Sequence, residues 1–426
     1  MSRANLKLTW LVISASILGA CGSSIETAQG VTSTPAPVLT MVPSAAAPPT
    51  AVPTPDEPIT LVIWIPDRLL PEDDETLNAL LNNEINEFIT VDEEIRVEMR
   101  RKTVDEVGGI MSTLRAASAV APGALPDLAL LRRRDLIEAV KAGLIQPLEG
   151  RIASAVIADL FPSALRLGRT EEQLYGLPYL LDLYLYAYRE TETAAPETWT
   201  FDAVLERGMT MAIPSFRANG MADILWLQYS TAGGELPENG VLELNPLAVA
   251  QVLNFYERLV EAQLIPPGTV DFATPADYLE LLASGRFDTG IVNTAIIRSL
   301  LDADPPLHFA AIPTFSGEPV TLVDGWMWVM VTPSIERQAI AGRFLNWMMD
   351  SGRHSAYAQA VVMPPAQRSS LRRWQVEGID NSLLIELLTD SMPQQPEVDS
   401  NSAARALQGA WLDVISGRLS AADAAE

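Results

Sequence analysis

The chain of 426 residues carries 54 acidic and 29 basic side chains, a formal net charge of -25 that repels a phosphate backbone and excludes nucleic acid as a partner. Hydrophobic residues make up 48% and charged residues 19%, an ordinary globular composition that excludes wholesale disorder and, at this length, predicts two packed bodies. With one cysteine, no intrachain disulfide or usual cysteine-based zinc site is available.

Arg3 and Lys7 precede an apolar stretch from Leu8 to Leu18, too short to span a bilayer, and Gly19-Ala20 then lead into Cys21. A charged start, an apolar middle and a small-residue exit predict an export signal over residues 1–20. Leu18-Gly19-Ala20-Cys21 resembles the bacterial lipoprotein signal box, which implies lipidation of Cys21 and a membrane anchor made of more than one acyl chain. Residues 22–58 are rich in Pro, Ala, Thr and Ser and read, with Cys21, as a tether that reaches roughly 100 Å at about 3.1 Å per residue.

Ile59 to Ile65 is a short apolar run ended by Pro66, the pattern of a strand buried on both faces. Pro71 and the acids Glu72 to Glu75 predict a helix start, with Leu77, Leu80, Leu81, Ile85 and Phe88 on one face. Ile95 to Met99 alternates as a second strand, Leu125 to Leu131 reads as a third, and Arg134 to Ala142 as a helix closed by Gly143. Strands alternating with helices predict an open, mainly parallel α/β sheet. Further helices are predicted over residues 201–208, 247–262, 275–284 and 335–350, the last with Ile340, Phe344, Trp347 and Met348 as a core stripe.

Two strand-like segments mix apolar and polar character. In residues 177–188, Tyr184, Tyr186 and Tyr188 share a face at period two, and Asp182 stands in an apolar surrounding where an unpaired carboxylate is costly. In residues 323–331, Trp326 and Trp328 share a face behind Asp324-Gly325. Catalytic motifs are missing: there is no Gly-x-Ser-x-Gly elbow, phosphate loop, His-Glu-x-x-His helix or Gly-x-Gly-x-x-Gly fingerprint. His308 and His354 are assigned surface or satisfied structural roles, and neither a metal nor a cofactor is expected.

The order of Thr60-Leu61-Val62-Ile63-Trp64, Leu125-Pro126-Asp127-Leu128, Ala139 to Leu148, Leu174 to Tyr179, Pro196 to Thr200, Ala311 to Phe315 and Phe344 to Met348 resembles the family 1 extracellular solute-binding proteins of ABC importers, the maltose-binding-protein-like group. The resemblance spans about residues 59–420. It implies a periplasmic-binding-protein-like fold of two α/β lobes with a ligand cleft between them, one lobe from residues 59–181 and 325–372, the other from residues 182–324 and 373–422. It also implies a monomer without catalytic residues, bound to the membrane outside the cytoplasm, that closes on a small polar ligand and delivers it to the permease subunits of an ABC importer. A sugar or oligosaccharide is the leading ligand.

The candidate cleft residues are Asp67 and Arg68 after the first strand, Tyr179, Asp182 and Tyr184 where the chain first crosses between the lobes near Leu181-Asp182, Trp226 and Gln228 in a helical stretch, and Asp324 and Trp326 where it crosses again near Asp324-Gly325. Leu131, Ile296 and Ser402 replace three stacking tryptophans of the maltose pattern, which argues against maltose or a long maltodextrin. Three alternatives stay open. The same fold accepts a polyamine or other cation, for which Asp67, Asp182 and Asp324 are also suited; a lipid-anchored glycosidase uses a carboxylate pair; and a binding protein of this kind also serves a membrane sensor.

Overall fold

The computed structural model describes residues 58–91, 95–104, 108–192, 194–235, 243–393 and 401–425. The predicted export signal, Cys21 and nearly all of the tether lie outside them.

The apolar run after Pro58 forms β1 (Ile59–Pro66), with Leu61, Ile63, Trp64 and Ile65 buried as a strand covered on both faces requires. The acids that follow lead into α1 (Glu75–Val91), where Asp74 Oδ1 accepts the Leu77 amide at 2.9 Å and Leu77, Leu81, Ile85 and Phe88 form the buried stripe. β2 (Ile95–Lys102) runs parallel to β1 on one side, and β3 (Leu128–Arg132) does so on the other. α2 (Arg133–Lys141) follows β3 without a loop.

The chain then enters β4 (Gly176–Tyr188), a strand of 13 residues. Beyond it come α3 (Phe201–Arg207), β5 (Met211–Ala212), α4 (Asp223–Thr231) and α5 (Pro246–Glu261). Asn245 caps α5, its side chain accepting the Leu247 and Ala248 amides, with Pro246 in the first turn; such a cap contributes about 1 kcal/mol. β6 (Thr289–Asn293), β7 (His308–Ala310) and β8 (Leu322–Met330) lead to α6 (Ile335–Met348), and a short β9 (Met392–Pro393) precedes α7 (Ser402–Ile415).

These nine strands join in one sheet in the order β2-β1-β3-β8-β4-β6-β5, with β9 against β8 and β7 against β4. Parallel pairing holds for β1 with β2 and β3, for β5 with β6 and for β8 with β9. The middle differs from the mainly parallel expectation: β8 is antiparallel to both β3 and β4, and β4 is antiparallel to β6 and β7. The sheet is mixed because β4 and β8, far apart in sequence, lie side by side in opposite directions at its centre, an arrangement no local pattern encodes.

Buried side chains form two clusters. One gathers Ile63, Leu130, Leu181, Trp328, Phe344, Trp374 and Leu388; the other gathers Tyr186, Trp199, Trp226, Tyr256, Leu322 and Trp411. The stripe on α6 is core as expected, Ile340, Phe344 and Met348 being buried, while the partly buried Trp347 donates its ring N–H to the Glu84 carbonyl at 3.2 Å.

Candidate ligand cleft

Where β4 and β8 lie side by side, Asp182 stands opposite Asp324 in register, and two residues further along β8, Trp326 stands opposite Arg132 at the end of β3. Gly325 permits this approach: a Cβ there would sit 2.3 Å from the Leu180 carbonyl oxygen. Like charges opposed across an antiparallel pair repel one another. Arg132 relieves the repulsion by spanning both groups, its Nη2 2.9 Å from Asp182 Oδ2 and its Nε 2.9 Å from Asp324 Oδ2.

Asp182 is 5% exposed, and its remaining acceptor positions are also filled. Oδ2 accepts from Asn293 Nδ2 at 3.0 Å as well as from Arg132, and Oδ1 accepts from Thr294 Oγ1 at 3.2 Å and the Ala295 amide at 3.1 Å. Two donors on each oxygen use the full capacity of a carboxylate. Burial pushes the Asp182 carboxyl above the usual carboxylate range, Arg132 opposes that shift, and Asp324 adds to it.

These groups line a cavity of about 500 Å³. Arg132, Arg134 and Asp135 enter it from the end of β3 and the first turn of α2, Asp182 and Tyr184 from β4, Asn293 from β6, and Asp324 from β8. Arg217, Asn219 and Thr274 contribute from loops. Tyr184 donates its hydroxyl to Asp223 Oδ2 at 3.1 Å, and Arg217 Nη1 meets Asp223 Oδ1 at 3.1 Å, so Asp223 ties two lining side chains together. Burial, followed by the nearby Asp223 charge, pushes the Tyr184 hydroxyl well above its ordinary range. The lining is thus rich in paired charges and hydrogen-bonding groups.

Compared with protein-family models, residues 92–376 match the bacterial extracellular solute-binding protein family. The chain belongs to that family. Comparison with curated protein sequences finds no match. Among solved structures, this solute-binding protein resembles the cyclic alpha-maltosyl-1,6-maltose binding protein of Arthrobacter globiformis, at 16% identity, TM-score 0.68, and 86% and 96% coverage of this chain and that one. It resembles the family 1 extracellular solute-binding protein of Alicyclobacillus acidocaldarius at 19% identity and TM-score 0.63, with 87% and 97% coverage. The maltose-binding periplasmic protein of Listeria monocytogenes, solved with maltose, matches at 15% identity and TM-score 0.65, with 87% and 96% coverage. At these identities the likeness establishes the fold, the two-lobed α/β architecture of binding proteins.

Of the candidate residues, the fold brings Asp182, Tyr184 and Asp324 to the cavity of the solute-binding protein. Trp326 is adjacent but only 1% exposed, its ring covered by the Arg68 guanidinium at 4.5 Å and by Arg132 at 5.6 Å. Arg68 lines a second, more open cavity of about 700 Å³ with Asp73, Asp74, Glu75 and Arg298, while Asp67 is exposed and accepts the Arg68 amide at 2.8 Å.

Tyr179, Trp226 and Gln228 stand away from both cavities. Tyr179 is fully buried in the first cluster, stacked on His354 at 4.6 Å. Trp226 and Gln228 lie in the second, where Gln228 donates to the Pro313 carbonyl at 3.0 Å and accepts from the Tyr256 hydroxyl at 2.6 Å. Among the described residues no cluster of His, Cys, Asp or Glu is placed to hold a metal ion, and no helix is long and apolar enough to cross a membrane.

Sequence reasoning missed Arg132, Arg134, Asp135, Arg217, Asn219, Thr274 and Asn293. For the first three a signal existed: Arg132-Arg133-Arg134-Asp135 is a charged run directly after the buried strand residues Leu128 to Leu131, at the carboxyl end of a strand, where ligands of α/β proteins bind. The loop residues carry no comparable local mark.

Proposed function

We propose that this solute-binding protein captures a carbohydrate in the cavity beside β4 and β8 and delivers it to an ABC importer. The observation that carries the reading is the chemistry of the floor: carboxylates compensated by Arg132, set among hydroxyl, amide and guanidinium groups suited to a hydroxyl array. The neighbours named for maltosyl ligands add support from the same fold.

In this reading the lobes are residues 59–181 with 325–372 and residues 182–324 with 373–422; β4 and β8 carry the crossings at Leu181-Asp182 and Asp324-Gly325, and the chain crosses a third time near Leu371-Arg372. Ligand contacts from both lobes exist together only in the closed form, so the ligand shifts the population toward closure without any covalent step. A lipid on Cys21 and the tether hold the protein near its permease.

The test is thermal unfolding of a chain starting near residue 57 against mono- and oligosaccharides, polyamines and amino acids. A ligand that binds only the folded state, at 100 times its dissociation constant, adds about 2.7 kcal/mol, a visible rise in melting temperature. A rise with one sugar class names the substrate; silence across sugars with a rise for an amino acid or polyamine refutes the carbohydrate reading.

A further inference from the structure

Of the carboxylates that line the cavity, Asp182 and Asp324 come from the paired strands β4 and β8 and Asp135 from α2, and the first two are already engaged by one guanidinium of this chain. Arg132 spans them at 2.9 Å each, and the other three acceptances of Asp182, from Asn293, Thr294 and Ala295, leave that carboxylate no capacity for an incoming donor. The Asn293 amide is oriented by this network: its Nδ2 faces the carboxylate, so its Oδ1 faces away, where it is buried and has no hydrogen-bond partner among the described residues. The Arg132 side chain keeps 28% of its surface exposed while Asp182 keeps 4%. What the floor presents is therefore the Arg132 guanidinium, with Asp182 behind it.

We propose that Arg132 is a specificity-determining residue, an internal counter-ion that fills the place of a cationic ligand and leaves the cavity selective for an uncharged, hydroxyl-rich one. A hydroxyl oxygen carries lone pairs, so it can accept from the Arg132 guanidinium. An ammonium only donates, and it meets a fixed positive charge where it needs an acid. This deepens the carbohydrate reading and rests on it, and it sets aside the polyamine alternative on grounds of charge.

The experiment titrates spermidine calorimetrically, at low ionic strength, into the wild-type protein, Arg132→Ala, Arg132→Lys and the double variant Arg132→Ala/Asp324→Asn. The wild type and Arg132→Lys are expected to take up no spermidine. Arg132→Ala is expected to bind it at least about tenfold more tightly than the weakest affinity the titration detects, a margin of about 1.4 kcal/mol, with affinity falling as salt rises. Removing the second carboxylate in the double variant should reverse most of that gain. A merely structural arginine would lower the melting temperature without creating cation affinity.

If Arg132→Ala does not fold, Arg132→Gln replaces it, since its amide can still donate to one carboxylate but carries no charge. Spermidine binding to the wild type, or equal affinity in wild type and variant, overturns the proposal whichever variant folds. A sugar that stabilises the wild type while no Arg132 variant gains spermidine removes this inference and keeps the carbohydrate reading. A spermidine gain in Arg132→Ala with no sugar response in the wild type removes the carbohydrate reading and keeps the exclusion of cations.

Discussion

Asp127 and Arg337 meet in a two-point ion pair, Arg337 Nε 2.6 Å from Oδ1 and Nη2 2.5 Å from Oδ2, that fastens α6 to the chain entering β3. The same carboxylate accepts the Val62 amide of β1 at 2.8 Å, and Arg337 also donates to the Thr60 carbonyl at 2.6 Å. One buried acid thus ties two parallel strands to a helix that arrives much later in the chain.

Asp127→Ala should destabilise the protein by about 2–3 kcal/mol, below the full value for breaking a buried pair because Arg337 keeps 34% of its side chain in water. Urea unfolding measures the loss. The cavity is lined by other residues, so ligand affinity of the folded fraction should stay unchanged.

Gly325→Ala should destabilise by about 1–3 kcal/mol, because its methyl group would lie 2.3 Å from the Leu180 carbonyl and must push β4 and β8 apart. The displacement falls beside the Asp182–Asp324 register, so a ligand identified by thermal shift should also bind more weakly. Equal melting temperatures for variant and wild type would rule out close contact there.

Trp326→Ala should cost about 3–5 kcal/mol, the range for truncating a large buried aromatic. It also removes the surface on which Arg68 and Arg132 rest. Trp326→Phe, which keeps an aromatic face, should lose less, and comparing the two by thermal unfolding separates ring volume from the stacked cations.

His354 is fully buried, with Nε2 2.6 Å from the Tyr179 carbonyl and Nδ1 2.8 Å from the Gln367 side-chain amide. Burial lowers its pKa from 6.5, against the opposing pull of those hydrogen bonds. The unfolded chain therefore binds the proton first as pH falls, so the stability contributed by the neutral ring is complete above 6.5 and is lost as pH drops toward the lower folded value. His354→Gln should flatten the decline of unfolding free energy between about pH 7 and pH 5 relative to the wild type. Parallel declines in both proteins would show that other groups carry it.

Local order was legible where it depends on near neighbours. The run from Ile59 to Ile65 set β1, the spacing of Leu77, Leu81, Ile85 and Phe88 set α1, and the stripe on residues 340–348 set α6. Asp182 could be singled out because a carboxylate within an apolar strand needs a partner wherever the strand goes. The aromatic residues were not separable in this way. Tyr179, Trp226 and Trp326 are all buried, and a strand or helix covered on every side gives its core faces and its cleft face the same apolar pattern.

The amino-acid sequence by itself determined the α/β class, the strands and helices with strong periodicity, and the need for a partner at the buried acid Asp182. Only the tertiary structure decided that β4 and β8 run antiparallel, that Asp182 and Asp324 face one another, and that Arg132 joins them. Periodicity reports which face of an element is covered, a property of residues a few positions apart. Register between distant strands, and the counter-ion it brings within 2.9 Å, depend on how the whole chain closes upon itself.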